Sequence, residues 1–189
     1  NDRYLDFWSP VINIGRDPWW GRTQDGYGED PVLVSEISKA FIKGLQGDHS
    51  KYYKVLSAPK HFVANNEEYR RHSGSSEVPM KVLRDYYLPA FTSSIVAAGA
   101  QAIMTAYNAL NGIPCTANTF LLKDILRNEW QFPGWVVTDC GAIYDIHVNH
   151  KYVSDPAEAV ALSLKAGTDL NCGSSFRLHL KDAFDQGMV

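Results

Sequence analysis

Three things are scarce in this sequence, and each scarcity excludes a class of protein. There is no surplus of positive charge: the 189 residues carry 18 basic and 21 acidic side chains, for a net charge of −3. Nucleic acid and anionic membrane surfaces both select clustered positive charge, so neither is expected as a partner. Long apolar runs are missing as well. The most apolar stretch, around residues 95–106, is broken by Gly and Gln and falls far short of the roughly 20 apolar residues that span a bilayer. Metal-ligand spacing is the third absence. His147 and His150 lie three apart, but no third ligand follows at a suitable distance and no His-Glu-x-x-His helix exists. Both are expected to be surface histidines, with no metal and no other cofactor.

What is present is ordinary for a globular domain, with 45% hydrophobic and 21% charged residues. The ends are less ordinary. The chain opens on Asn1 without a basic-then-apolar leader, and position 189 falls inside residues 176–188, which read as helix without a capping Gly. The expectation is a fragment of a longer polypeptide.

Period and punctuation give five short β-type runs alternating with helical patterns. The runs are residues 11–14, 53–57, 102–106, 135–137 and 168–170. Between them, Asp30 caps a helix over residues 31–46 with Pro31 in its first position and Leu33, Ile37, Phe41 and Leu45 on one apolar face. A second helix covers about 79–98, where Pro89 is expected to break or kink it. Asn118 caps residues 119–129, and Asp155 caps residues 156–166, which Gly167 ends. Alternation with crossover-length connections implies an α/β fold with parallel strands, either an open doubly wound sheet or a closed (β/α)8 barrel. An open nucleotide-binding sheet would place a Gly-rich phosphate loop after its first strand. Here Asp17, Trp19, Trp20 and Arg22 crowd the glycines of that loop, which favours an incomplete TIM-type (β/α)8 barrel. Five units of eight extrapolate to roughly 300 residues. The isolated chain is therefore expected to fold poorly through unpaired strand edges.

In both architectures sites form where loops leave the carboxyl ends of the strands. There the sequence places Arg16, Asp17 and Arg22, then Lys60 and His61, then Tyr107 and Asn108, then Asp139. A carboxylate among cations is expected to have a lowered pKa and to be ionised, hence available as a nucleophile. Lys, Arg and His donors suit sugar hydroxyls, and Trp19 and Trp20 offer faces on which a sugar ring could stack. The default readings are blander: Arg16 and Asp17 as a structural ion pair, Asp139 as a solvated turn residue.

The segments F-W-S-P-V-I-N-I-G-R-D-P-W-W-G-R, G-Y-G-E-D-P, A-P-K-H-F-V, I-M-T-A-Y-N-A-L-N-G, W-V-V-T-D-C-G-A-I and A-G-T-D-L-N-C-G together resemble the N-terminal barrel domain of family-3 glycoside hydrolases, in that family's order and over nearly the whole chain. The resemblance implies a retaining exo-β-glycosidase acting on an oligosaccharide or glycoside. It puts Asp139 at the nucleophile position, and Arg22, Lys60, His61 and Tyr107 around the innermost sugar, with Met104 as a weaker contact. Glu68 is assigned to a substrate hydroxyl rather than to the acid/base. That second carboxyl is implied to lie on a C-terminal α/β sandwich domain of the same polypeptide, absent from residues 1–189. His72 lacks the D-S-H pattern of the N-acetylglucosaminidase branch and is expected to be a surface loop residue.

Within the family, the F-W-S-P start and the D-C and D-L-N-C-G segments resemble the β-xylosidase branch. A Cys140–Cys172 disulfide beside the innermost subsite is the matching expectation, filling space that a hexose hydroxymethyl group would need; two reduced, packed cysteines are the alternative. A disulfide implies an oxidising compartment, hence a secreted or periplasmic protein. Cys115 is left unpaired. The alternatives are a β-glucosidase, a sugar-binding but catalytically silent fragment, and, more distantly, an open-sheet nucleotide enzyme.

Overall fold

A computed structural model describes residues 5–189. In chain order the first elements are β1 (Asp6–Phe7), α1 (Pro31–Gln46), β2 (Leu56–Ser57), β3 (Ser75–Ser76) and a helical segment α2 (residues 80–97). Then come β4 (Ala102–Thr105), β5 (Ala109–Leu110), β6 (Ile113–Pro114), α3 (Phe120–Glu129), β7 (Trp135–Thr138), α4 (Ala142–Val148), α5 (Pro156–Ala166) and α6 (Ser175–Asp185).

The wall strands pair in chain order, and every pairing is parallel. β1 pairs with β2, and the same stretches meet again where Val11 bridges Lys60. Phe62 bridges Thr105 at the end of β4, β4 pairs along its length with β7, and Val137 bridges Leu170. A doubly wound sheet reverses direction partway across, so that its helices cover both faces. No reversal occurs among the described residues, and the five positions are consecutive walls of an incomplete (β/α)8 barrel. Three of the runs read from the sequence are shorter as strands than expected: residues 11–14 pair only at Val11, residues 53–57 form a strand only at Leu56–Ser57, and residues 168–170 pair only at Leu170.

The helix caps follow the local chemistry. The Asp30 carboxylate accepts from the Leu33 N–H at 2.7 Å, the Asp155 carboxylate from the Ala157 N–H at 2.9 Å, and the Asn118 side chain from the Leu121 N–H at 3.2 Å. Pro89 does not end α2. It supplies no N–H, and the ladder slips locally to i→i−5, with the Leu88 N–H donating to the Leu83 carbonyl at 2.9 Å.

The inward face of α1 differs from the expected one. Val34, Ser38, Ile42 and Gln46 are buried, while Leu33, Ile37 and Phe41 are exposed. The serine explains the rotation: α1 and α2 approach closely enough for Ser94 Oγ to donate to Ser38 Oγ at 3.2 Å, which a leucine there would prevent. Inside, Phe62 packs on Phe91 with ring centroids 5.1 Å apart, within a core that includes Ile103, Leu121 and Leu126. Each such fully buried side chain contributes about 1.5–3 kcal/mol. A second cluster, from Ile143, Ile146, Val160 and Ala183, holds α4, α5 and α6 together.

Residues 107–118 read as a turn-rich loop, yet they contain an antiparallel hairpin, β5–β6. Asn111 and Gly112 at its tip both have positive φ, 50° and 84°, as a two-residue Asn-Gly turn requires. β3 adds to it in parallel, and Asn111 bonds both backbone groups of Val78. This small sheet anchors the long loop after Lys60.

Candidate active site

Of the polar residues predicted at the strand ends, Arg22, Lys60, His61, Tyr107 and Asp139 converge, while Asn108 turns away to the Val63 and Ala109 carbonyls. Asn13, at the end of the first wall, holds His61 at three points: its Oδ1 accepts from the His61 backbone N–H at 2.8 Å and lies 3.0 Å from Nδ1, and its Nδ2 donates to the His61 carbonyl at 2.8 Å. An oxygen that already accepts the backbone N–H requires Nδ1 to carry the imidazole proton. Nε2 is then an acceptor, and Arg22 Nη1 lies 3.3 Å from it. The other side of the Arg22 guanidinium bonds the Asp25 carboxylate, with Nε donating at 2.7 Å.

Asp139 follows the last residue of β7. Its Oδ1 accepts from the Cys140 backbone N–H at 2.8 Å, and Oδ2 lies 3.4 Å from His61 Nε2. That last contact has the distance of an ion pair but not its chemistry. Burial, followed by the nearby charges of Arg22, Lys60 and Arg71, holds the His61 pKa well below its ordinary value, so the ring is neutral at pH 7. The carboxyl behaves differently from the expectation. Burial raises the Asp139 pKa, and the Cys140 N–H, Lys60, Tyr107 and Arg71 offset this only in part. The cations are present as expected, but desolvation outweighs them.

Tyr107 donates its hydroxyl to the Cys140 carbonyl at 2.8 Å, and burial together with Asp139 pushes its pKa up to about 12. Lys60 is half-buried; burial lowers its pKa while Asp139 pulls it back up. Gly141, at φ 86°, starts α4 two residues after Asp139 and makes the tight turn that aims the Cys140 N–H back at the carboxylate. Cys140 and Cys172 are joined by a disulfide with Cα atoms 4.4 Å apart, tying the Asp139 turn to the next wall.

The model for the glycosyl hydrolase family 3 N-terminal domain matches residues 5–188. The chain belongs to this family. A probable exo-1,4-beta-xylosidase bxlB of Aspergillus clavatus is 45% identical over 97% of the chain, and a xylan 1,4-beta-xylosidase of Xylanibacter ruminicola is 40% identical over 99%. A solved GH3 exo-beta-xylosidase (XlnD), in complex with a xylobiose aziridine activity-based probe, superposes on 98% of the chain with a TM-score of 0.95 at 37% identity. A beta-glucosidase from Listeria innocua superposes on all of it with a TM-score of 0.90 at 34% identity. The chain spans about a quarter of the length of each of these proteins, from 22% to 26%.

Some residues of this family-3 domain sit elsewhere than expected. Arg16 and Asp17 are not paired: the Arg16 guanidinium bonds the Tyr87 hydroxyl and lies over the Tyr86 and Tyr87 rings, while Asp17 accepts from the Trp19 N–H at 2.8 Å. Trp20 is 2% exposed and offers no stacking face, whereas Trp19 is 91% exposed. Met104 is buried within β4. Glu68 bonds Arg71 through Oε1, and its Oε2 is buried without a partner among the described residues. The histidines are not simple surface residues. His150 Nε2 lies 2.8 Å from the Tyr107 carbonyl, and His72 Nδ1 lies 2.7 Å from Asp145 Oδ2. Asn13 was the residue missed. Its only signal is a polar side chain inside the apolar run I-N-I, and its partner lies 48 positions away.

Proposed function

We propose that this chain is the nucleophile-bearing part of a retaining exo-β-xylosidase that releases terminal non-reducing β-D-xylosyl residues from xylo-oligosaccharides. The observation that carries the reading is the Asp139 carboxylate, partly buried at a barrel strand end, held through Oδ1 by the Cys140 N–H and flanked by His61, Lys60 and Tyr107. The naming of the xylosidase relatives supports the substrate class.

In the first step the Asp139 oxygen not held by the peptide N–H attacks the anomeric carbon. The glycosidic C–O bond breaks, and the departing oxygen takes a proton from a carboxylic acid about 5 to 5.5 Å away. In the second step that group, now a carboxylate, takes a proton from water. The water oxygen displaces Asp139 and restores the β configuration. Arg22, Lys60, His61 and Tyr107 bind the sugar hydroxyls. Glu68 is engaged by Arg71, and the acid/base is assigned, as the family resemblance implies, to a C-terminal sandwich domain of the same polypeptide. The raised Asp139 pKa suits the role, because a carboxylate that is poorly solvated is a better nucleophile.

The Cys140–Cys172 disulfide supports xylose over glucose by filling the space beside Asp139 that a hydroxymethyl group would need, and it fits an oxidising, extracellular or periplasmic compartment. The β-glucosidase reading has its own support in the fold match to the Listeria innocua enzyme. Steady-state kinetics of the complete polypeptide on aryl β-xyloside and aryl β-glucoside separate the two. The expected result is a kcat/KM at least about tenfold higher for the xyloside. Replacing both cysteines by alanine should narrow that ratio, and an intact enzyme that prefers the glucoside contradicts the assignment.

A further inference from the structure

The loop after Lys60 carries a second polar constellation that the reaction scheme leaves unused. Asp145 lies in the first turn of α4, six residues after Asp139, and is 3% exposed. Its Oδ2 is 2.7 Å from His72 Nδ1. The other imidazole nitrogen, Nε2, is 3.2 Å from Arg71 Nε, and Arg71 Nη1 reaches Glu68 Oε1. A carboxylate only accepts and a guanidinium only donates, so this chain of contacts admits one arrangement of protons: Nδ1–H to Asp145, and Arg71 Nε–H to Nε2. The result is a guanidinium gripped on two edges. Its Cζ stands 5.0 Å from the centroid of the Tyr107 ring, and the His72 ring packs on the same tyrosine at 4.3 Å. His150, two residues past the C-terminal end of α4, also holds the Tyr107 backbone, its Nε2 lying 2.8 Å from the Tyr107 carbonyl.

We infer that His72 and Asp145 are positioning residues that lock the Arg71 guanidinium over Tyr107, so that its charge supports the Asp139 carboxylate. The inference rests on Asp139 being the nucleophile. An arginine on a flexible stem loses rotamer freedom when it is fixed, and three separate partners on two elements hold it here. Arg71 is among the groups that favour the ionised form of Asp139, with the Cys140 N–H, Lys60 and Tyr107, and it also disfavours a charge on His61. Glu68 acquires a role as well: it braces the arginine rather than meeting a sugar hydroxyl.

The test is the pH profile of kcat/KM, which reports groups of the free enzyme. In the complete polypeptide, His72→Leu removes both contacts. The expected results are a kcat/KM lower by on the order of tenfold to a hundredfold and an acidic limb moved to higher pH, as Asp139 loses a supporting charge. His72→Gln, whose amide can donate to Asp145 and accept from Arg71, should restore most of the activity and the original limb. Arg71→Met changes a partly exposed side chain and gives a second arm should His72→Leu fail to fold. It should move the limb the same way, and the double variant should be no worse than the poorer single one. Thermal unfolding confirms which variants are folded. If Asp139→Asn keeps turnover, the nucleophile reading and this inference fall together. If Asp139→Asn is inactive but a folded His72→Leu or Arg71→Met keeps the original acidic limb, or if the two losses simply multiply, this inference alone is overturned.

Discussion

The same strands end in two different kinds of space. Past their C-terminal ends, Asn13, His61, Arg22 and Asp139 contact one another in series, and Tyr107 and Asp139 both bond the Cys140 backbone, at distances between 2.8 and 3.4 Å. Toward their N-terminal ends lies a concavity of about 810 Å³, lined by Leu5, Phe7, Leu56, Trp135 and Leu170, with Asp6 the one ionisable group among the described lining residues. Volume and apolar lining describe the second space, but convergent polar groups with shifted pKa values describe the first. A gap in a barrel wall needs only side chains that would otherwise be buried. A reactive centre needs several groups whose protonation is set by one another; the C-terminal end gathers His61, Lys60, Tyr107 and Asp139, whereas the described lining at the other end offers Asp6 alone, its pKa raised by burial.

Substitutions can sharpen that contrast. The largest effect is expected from Asp139→Asn, with kcat/KM falling by on the order of 10⁴ while stability at neutral pH increases. The sign follows from the raised pKa. The folded protein holds the Asp139 proton more tightly than the unfolded chain, so ionisation costs stability as pH rises from the ordinary value of 3.8 through the folded one. Melting temperatures of both forms against pH check this, and the gap between them should be widest at neutral pH and close in acid. A smaller effect is expected from Asn13→Leu, which leaves buried groups of His61 without partners: about 3 kcal/mol of stability and on the order of tenfold to a hundredfold in kcat/KM. Denaturant titration and kinetics measure the two losses. The smallest is expected at the other end, where Leu56→Ala should cost about 1 kcal/mol and change kcat/KM by less than about twofold. A large catalytic loss there would erase the contrast.

The order of strands and helices was legible because its signals are local. Asp30, Asp155 and Asn118 cap through atoms two or three residues away, and Gly167, at φ 114°, ends α5. The Asn111-Gly112 hairpin was local too and was passed over, although the dipeptide between A-L and I-P carries it. What could not be read depended on distant partners. The buried face of α1 turns on Ser38 meeting Ser94, 56 positions away. Arg16 finds Tyr87 instead of its neighbour Asp17, and His72 finds Asp145. The residue types around Asp139 were legible and the direction of its pKa was not, because composition counts cations but burial depends on the whole fold.

In the proposed reaction Asp139 forms the covalent bond to the sugar. The most direct measurement is mass spectrometry of the complete polypeptide after incubation with an activated 2-fluoroxyloside, whose leaving group needs no protonation. The predicted result is one 2-fluoroxylosyl adduct, localised by peptide mapping to Asp139 and absent from Asp139→Asn. An adduct on another carboxylate, or none despite hydrolysis of aryl xylosides, contradicts the account.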